Sequence, residues 1–294
     1  MRRILTARWR VITRAHTNTQ GLLKRHASRL MALALAVGLM IAMGLWATAS
    51  EIPRLQGELT IFTAASLTDA FKEMAAQIGQ ANPGTKLTFN FAGSPTLRTQ
   101  LAQGARADVF ASADEPNMYG AEKDGTISGE PQIFARNPLV VVIPADNPAG
   151  IKTLQDLAKP KLKLVLASKD VPVGNYSRQA LDKMSQDPAF GNEFAKRVLA
   201  NLVSEETNVK QVASKVQLGE ADAGIVYSTD VTQAIRSTVR VIDIPPEFNV
   251  IAKYPIAAVK GARNESGARA FIDYVLSPAG QVILTRHGFL VAGS

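Results

Sequence analysis

The chain of 294 residues has no cysteine and three histidines, of which His16 and His26 fall within the first 49 positions. Disulfides, thiolate nucleophiles and Cys/His metal centres are therefore excluded from the rest of the chain. A Ser-His-Asp triad would have to use His287. That residue stands in Arg286-His287-Gly288-Phe289 at an expected helix end, where the helix macrodipole accounts for a cation. The patterns G-x-x-x-x-G-K-[ST], G-x-G-x-x-G and G-x-S-x-G are missing, and no carboxylate pair stands out. These absences point away from an enzyme and from any resident cofactor.

Acidic residues are missing too, but only from residues 1–49, which carry eight basic ones. Of the 33 Lys+Arg and 25 Asp+Glu in the chain, 25 of each remain for residues 50–294, so the net charge of +8 belongs to the N-terminal segment. A basic chain invites a nucleic-acid reading, and the neutral body removes it. Residues 30–46 (LMALALAVGLMIAMGLW) are uncharged and end in Ala47-Thr48-Ala49, with Glu51 just beyond. A basic n-region, an apolar h-region and a small-x-small site describe a cleavable signal peptide over residues 1–49. An uncleaved anchor helix is the alternative. No Cys follows the apolar run, which excludes a lipoprotein anchor, and a periplasmic location is expected.

What the body does have is strand–helix alternation. Short apolar runs at 59–64 (LTIFTA), 86–91 (KLTFNF), 107–111 (ADVFA), 138–144 (PLVVVIP), 162–167 (LKLVLA), 223–227 (AGIVY) and 254–260 (YPIAAVK) read as strands. Helical spacing marks 67–78, 96–103, 176–184, 192–199, 209–218, 265–276 and 278–287, with Asp114 opening another helix. The pattern predicts an α/β architecture with mainly parallel, buried sheets.

Four junctions repeat one theme, a strand followed by small or hydroxylated residues and a helix start. They are 63–69 (TAASLTD), 92–97 (AGSPTL), 171–176 (VPVGNY) and 206–209 (ETNV). In the second, Pro95 fits the first helical position and Ser94 the N-cap. Each alone reads as a capped helix. Four together offer free backbone N–H groups and positive dipole ends, a ready site for an oxyanion. Ser66, Ser94 and Tyr227, at a strand end, would add hydroxyl donors.

At these residues the sequence resembles the periplasmic molybdate-binding proteins of ABC uptake systems. The matching stretches are AASLTDAF (64–71), FAGSPTLRTQL (91–101), GARADVFASAD (104–114), NPLVVVIP (137–144), VPVGNY (171–176), GEADAGIVYSTD (219–230) and YPIAAVKG (254–261), in order over roughly residues 57–290. The resemblance implies a two-lobed periplasmic-binding-protein fold of type II, with a hinge of crossing strands. Residues 50–137 plus 245–294 would form one lobe and 138–244 the other. It implies molybdate, or tungstate, held in the cleft by Ser66, Ser94, Val173, Val209 and Tyr227 through hydrogen bonds to its oxygens, the metal itself being untouched. The two valines would act through backbone N–H alone. It also implies delivery to a membrane permease with its ATPase subunit, no nucleic-acid partner, and a monomer. Pro95 and Val173 depart from the Ser and Ala frequent in relatives. Three other readings stay open at this point: another oxyanion such as tungstate, sulfate or phosphate; a ligand-sensing effector domain; and an exported enzyme.

Overall fold

The computed structural model describes residues 54–292, and the expected signal peptide lies outside the described residues. β1 (Glu58–Ala64) runs through a 3-10 turn (Ala65–Leu67) into α1 (Thr68–Ala81), and β2 (Lys86–Ala92) leads to α2 (Ser94–Ala102). β3 (Val109–Ala111) precedes α3 (Glu115–Lys123), and β4 (Ile127–Asn137) passes through Pro138 into β5 (Leu139–Pro144). Next come a 3-10 turn (Leu154–Ala158), β6 (Leu164–Ala167), α4 (Pro172–Ser185), α5 (Phe194–Leu199), β7 (Leu202–Glu206), α6 (Val209–Gln217) and β8 (Ala223–Tyr227). A third 3-10 turn (Ser228–Asp230), β9 (Val239–Asp243) and β10 (Ala252–Val259) are followed by α7 (Glu265–Leu276), α8 (Pro278–Arg286) and β11 (Leu290–Val291).

The strands form two open sheets, six-stranded in the order β11-β4-β10-β3-β1-β2 and five-stranded in the order β7-β6-β8-β5-β9. Both are mixed. β1 pairs in parallel with β2 and β3, and β6 with β7 and β8. The pairs β10–β3, β10–β4, β11–β4, β5–β8 and β5–β9 are antiparallel. The expectation of mainly parallel sheets is thus corrected: β10–β3 and β5–β8 pair expected strands in antiparallel fashion, and the other three antiparallel pairs come from β4, β9 and β11, which the sequence does not mark as strands. β4 and β9 interleave exposed and buried residues, and β11 is exposed at an edge. Antiparallel strands tolerate one wet face, so they need no continuous apolar run.

Helices dock on the sheets by their apolar stripes. In α6 (VKQVASKVQ) the buried residues are Val209, Val212, Ala213 and Val216, a spacing of three and four that faces one side. The helix stops where Gly219 takes φ +72°, in the position after the C-cap where a left-handed residue is needed. Beneath the first sheet Phe71 packs edge-on against Phe271 and tilted against Phe134. Beneath the second, Leu164, Val165, Leu181, Met184 and Ile225 are fully buried.

The chain crosses between the sheets twice, at Pro138 and through residues 244–251. Asn249 ties the two crossings together. Its Oδ1 accepts from the Leu139 N–H at 3.0 Å and its Nδ2 donates to the Leu139 carbonyl at 2.9 Å and the Ile244 carbonyl at 3.1 Å. Alanine at this position would orphan several buried backbone groups, each costing about 1–3 kcal/mol. Asn249→Ala is expected to destabilise the protein by about 3 kcal/mol, lowering Tm by roughly 6–12 °C in a body of this size. Thermal and urea melts of the ligand-free protein check this.

Candidate functional site

All four junctions lie at the carboxyl ends of parallel-paired strands, where open α/β sheets hold ligands. Parallel register sets Ala64 level with Ala92, so the segments carrying Ser66 and Ser94 leave β1 and β2 side by side. In the other sheet Ala167 is level with Glu206, which brings the starts of α4 and α6 together. The result is one small, nearly closed cavity lined by both sheets. Ser66, Ser94, Val173, Val209 and Tyr227 all line it, with Ala64, Ala65, Gly93, Pro172 and Asn208 among their neighbours. No charged side chain is in the lining. A wider groove of about 1010 Å³ elsewhere on the first sheet is lined by Arg106, Lys260 and Arg263, and none of the five residues reaches it.

Three of the four helix starts at the cavity lack a side-chain cap, as does α5 away from it, where Glu193 gives none. Ala64, Gly93 and Val171, which open the 3-10 turn before α1, α2 and α4, give no side-chain cap to their helices. By contrast Asp114, Asn264 and Ser277 cap α3, α7 and α8 by accepting from the backbone N–H three residues on. Asn208 alone among the cavity starts does the same, accepting from Gln211. The first N–H groups of a helix need an acceptor, and three helix starts here leave that role open toward one point.

Ser94 is a correction to the sequence reading: Gly93 is the N-cap, in extended backbone, and Ser94 and Pro95 are the first two helical residues. The Ser94 hydroxyl oxygen instead accepts from the Ala113 N–H at 3.0 Å, leaving its own proton free to donate. Ser66 is poised in the same sense. Asn137 Nδ2 donates to Tyr254 Oη at 3.2 Å, and Tyr254 Oη lies 2.9 Å from Ser66 Oγ. With Tyr254 donating in that pair, the Ser66 proton is also free. Tyr254, Asn137 and Thr229, which accepts from Asn137 at 2.8 Å, are supports that sequence reading missed. Their only signal is an apolar strand context, which predicts burial and not partners.

Tyr227 completes the set. It is 1% exposed, and its Oη has no hydrogen-bond partner among the described residues. Burial raises its pKa well above that of an ordinary phenol, and burial does the same to Tyr254, so both keep their protons. A buried hydroxyl without a partner is costly, and here it faces a cavity of donors. Valine side chains at 173 and 209 are buried and contribute apolar walls beside their backbone. His287 sits away from this place, as the C-cap of α8 with Nε2 2.7 Å from Glu73 Oε2, a pairing that is structural.

The family model for bacterial extracellular solute-binding proteins matches residues 59–290. The chain belongs to that family. Among individual solute-binding proteins, it is 38% identical over 268 residues to the molybdate-binding protein ModA of Mycobacterium tuberculosis, covering 87% of this chain and 98% of that one. Two of the solved structures that share the fold illustrate it. One is the sulfate-binding protein SubI of M. tuberculosis, with TM-score 0.72 and 16% identity over 81% of this chain and 88% of that one. The other is the periplasmic molybdate-binding protein of Azotobacter vinelandii, with TM-score 0.68 and 19% identity over 79% and 99%. The expected periplasmic-binding-protein architecture is therefore the observed one. Membership of that family gives the chain a solute-binding role.

Proposed function

We propose that the protein binds molybdate in the periplasm and delivers it to an ABC permease with its ATPase subunit. The observation that carries this is the convergence of three uncapped helix starts and the unpartnered Tyr227 hydroxyl on one cavity free of charged side chains. In this reading Ser66 and Ser94 donate through hydroxyl and backbone, Val173 and Val209 through backbone N–H, and Tyr227 through its phenol. Residues 1–49 direct export, and the regions 50–137 with 245–294 and 138–244 close on the anion as two lobes of a monomer.

Selectivity follows from donors and size. A dianion stripped of water loses a large hydration energy, which only several charge-assisted hydrogen bonds offset. Donors alone favour a fully deprotonated oxyanion, because a protonated oxygen would meet a second donor with nothing to accept. Phosphate, which carries a proton at neutral pH, is thereby disfavoured. Sulfate is excluded on size, while tungstate, nearly equal to molybdate in size and charge, competes.

Thermal melts of ligand-free protein with molybdate, tungstate, sulfate and phosphate test the reading. A ligand at ~100 times its Kd adds about 2.7 kcal/mol, which for this size raises Tm by roughly 5–11 °C. That shift is expected for molybdate and tungstate only. A shift with sulfate or phosphate alone would overturn the substrate, and none with any anion would overturn oxyanion binding.

A further inference from the structure

Behind three of the five cavity residues lies an ion cluster that the binding site does not use. Lys210, next to Val209 on α6, has its Nζ 2.9 Å from Asp69 Oδ2 and 3.5 Å from Asp230 Oδ1. Asp69 is in the first turn of α1, three residues after Ser66. Asp230 ends the 3-10 turn after Tyr227, and its Oδ2 accepts from the Tyr227 N–H at 3.3 Å. Asp69 belongs to the first sheet's layer, Lys210 and Asp230 to the second. Among the described residues, every other ion pair joins two groups on the same side.

The two contacts have different characters. Asp230 is fully buried, and burial pushes its carboxyl up to about 6 against the pull of Lys210. Its charged form needs a counter-ion close by, because an unpaired buried carboxylate is strongly unfavourable. Burial works against the Lys210 charge as well, yet Asp230 and Asp69 together raise its pKa above the ordinary lysine value. Lys210 makes its hydrogen bond to Asp69, while Asp230 Oδ1, at 3.5 Å and without a hydrogen-bond partner among the described residues, holds the ammonium from its own side by charge. Asp69 is 42% exposed in its side chain and meets Lys210 only across the gap between the sheets. An exposed pair is usually weak because two long side chains must be ordered to make it. Here one partner is ordered beforehand.

We propose that Lys210 is a positioning residue for closure, held to Asp230 in every state and engaging Asp69 only when the two halves meet, so that this pair sets how long a bound anion is retained. The proposal rests on the oxyanion-binding reading and extends it from the site to the rate of release.

Stopped-flow release of molybdate from the full protein tests it. Asp69→Asn is expected to speed release about 5- to 10-fold and to change association less than about twofold, as interface changes act mainly on dissociation. Lys210→Arg, which keeps the charge opposite Asp69, is expected to retain slow release. Added salt should speed release from the wild type and leave Asp69→Asn nearly indifferent. A merely structural role would move the melting temperature of the ligand-free protein, which Asp69→Asn is expected to leave unchanged. Because the chain has no cysteine, Glu122→Cys with Glu220→Cys gives a clean pair of label sites, one per side. Asp69→Asn should lower the short-distance population in the ligand-free protein. Unchanged release in Asp69→Asn overturns the latch. If the wild type binds no oxyanion, the functional reading fails, and an unchanged label distance then overturns the latch by itself.

Discussion

Gly93→Ala is expected to leave folding intact and to weaken oxyanion binding by at least about 100-fold, a loss of roughly 2.7 kcal/mol. Gly93 adopts φ −65° and ψ 140°, which any residue accepts, so alanine brings no backbone strain. A Cβ placed there, however, would lie well under 3.0 Å from the Thr207 carbonyl oxygen. Thr207 belongs to the link between β7 and α6, on the opposite side of the cavity. The clash arises only when the two sides are together, and its partner is backbone that cannot step aside. Relief requires the sides to part by about an ångström, which breaks the hydrogen bonds from one of them to the anion. Calorimetric titration and a ligand-free melt on the same sample check both halves of the expectation. Wild-type affinity in Gly93→Ala would show that binding does not need this approach.

Tyr227→Phe should separate stability from affinity in the opposite sense to an ordinary core change. Removing the hydroxyl takes away one hydrogen bond to a charged ligand, worth about 1.5–3 kcal/mol, so affinity falls roughly 10- to 100-fold. The ligand-free protein loses no hydrogen bond there, because Tyr227 Oη has none among the described residues. Its stability should stay level or rise by about 1 kcal/mol, with Tm unchanged or roughly 2–4 °C higher. Ring packing against Tyr254, at 5.8 Å between centroids, survives the substitution. Should stability and affinity fall together, the hydroxyl belongs to the fold and not to the ligand.

How much of this was legible beforehand differs by range. Ser66, Ser94 and Tyr227 stand out in the sequence because each sits in a short local pattern at a strand end, whereas Val173 and Val209 are singled out only by the family resemblance. Their convergence on one cavity depends on strand register, which local patterns do not state. The Ser94 N-cap was misplaced by one residue because proline suits either of the first two helical positions, and the extended Gly93 decided between them. Asn137, Tyr254, Asn249 and Asp69 escaped notice for another reason. Each acts on a partner far along the chain: Asn249 on Leu139, Tyr254 on Ser66, Asp69 on Lys210. β4 and β9 were missed because half-exposed strands lack the apolar run that marks β5 or β8.

The strand order also dictates a sequence of assembly. β10 lies in the middle of the first sheet, between β3 and β4, although its residues come after the entire second sheet. The second sheet is contiguous from β5 to β9 and needs nothing from outside that stretch to pair. A chain delivered N-terminus first therefore cannot join β3 to β4 through β10 until residue 259 has emerged, nor add the edge strand β11 until residue 291, whereas its second sheet can condense sooner. Long-range pairings of this kind are slow to form. Such slowness suits a polypeptide that must thread through a narrow translocation channel before it folds, since the six-stranded half stays unfinished until nearly the whole length has passed.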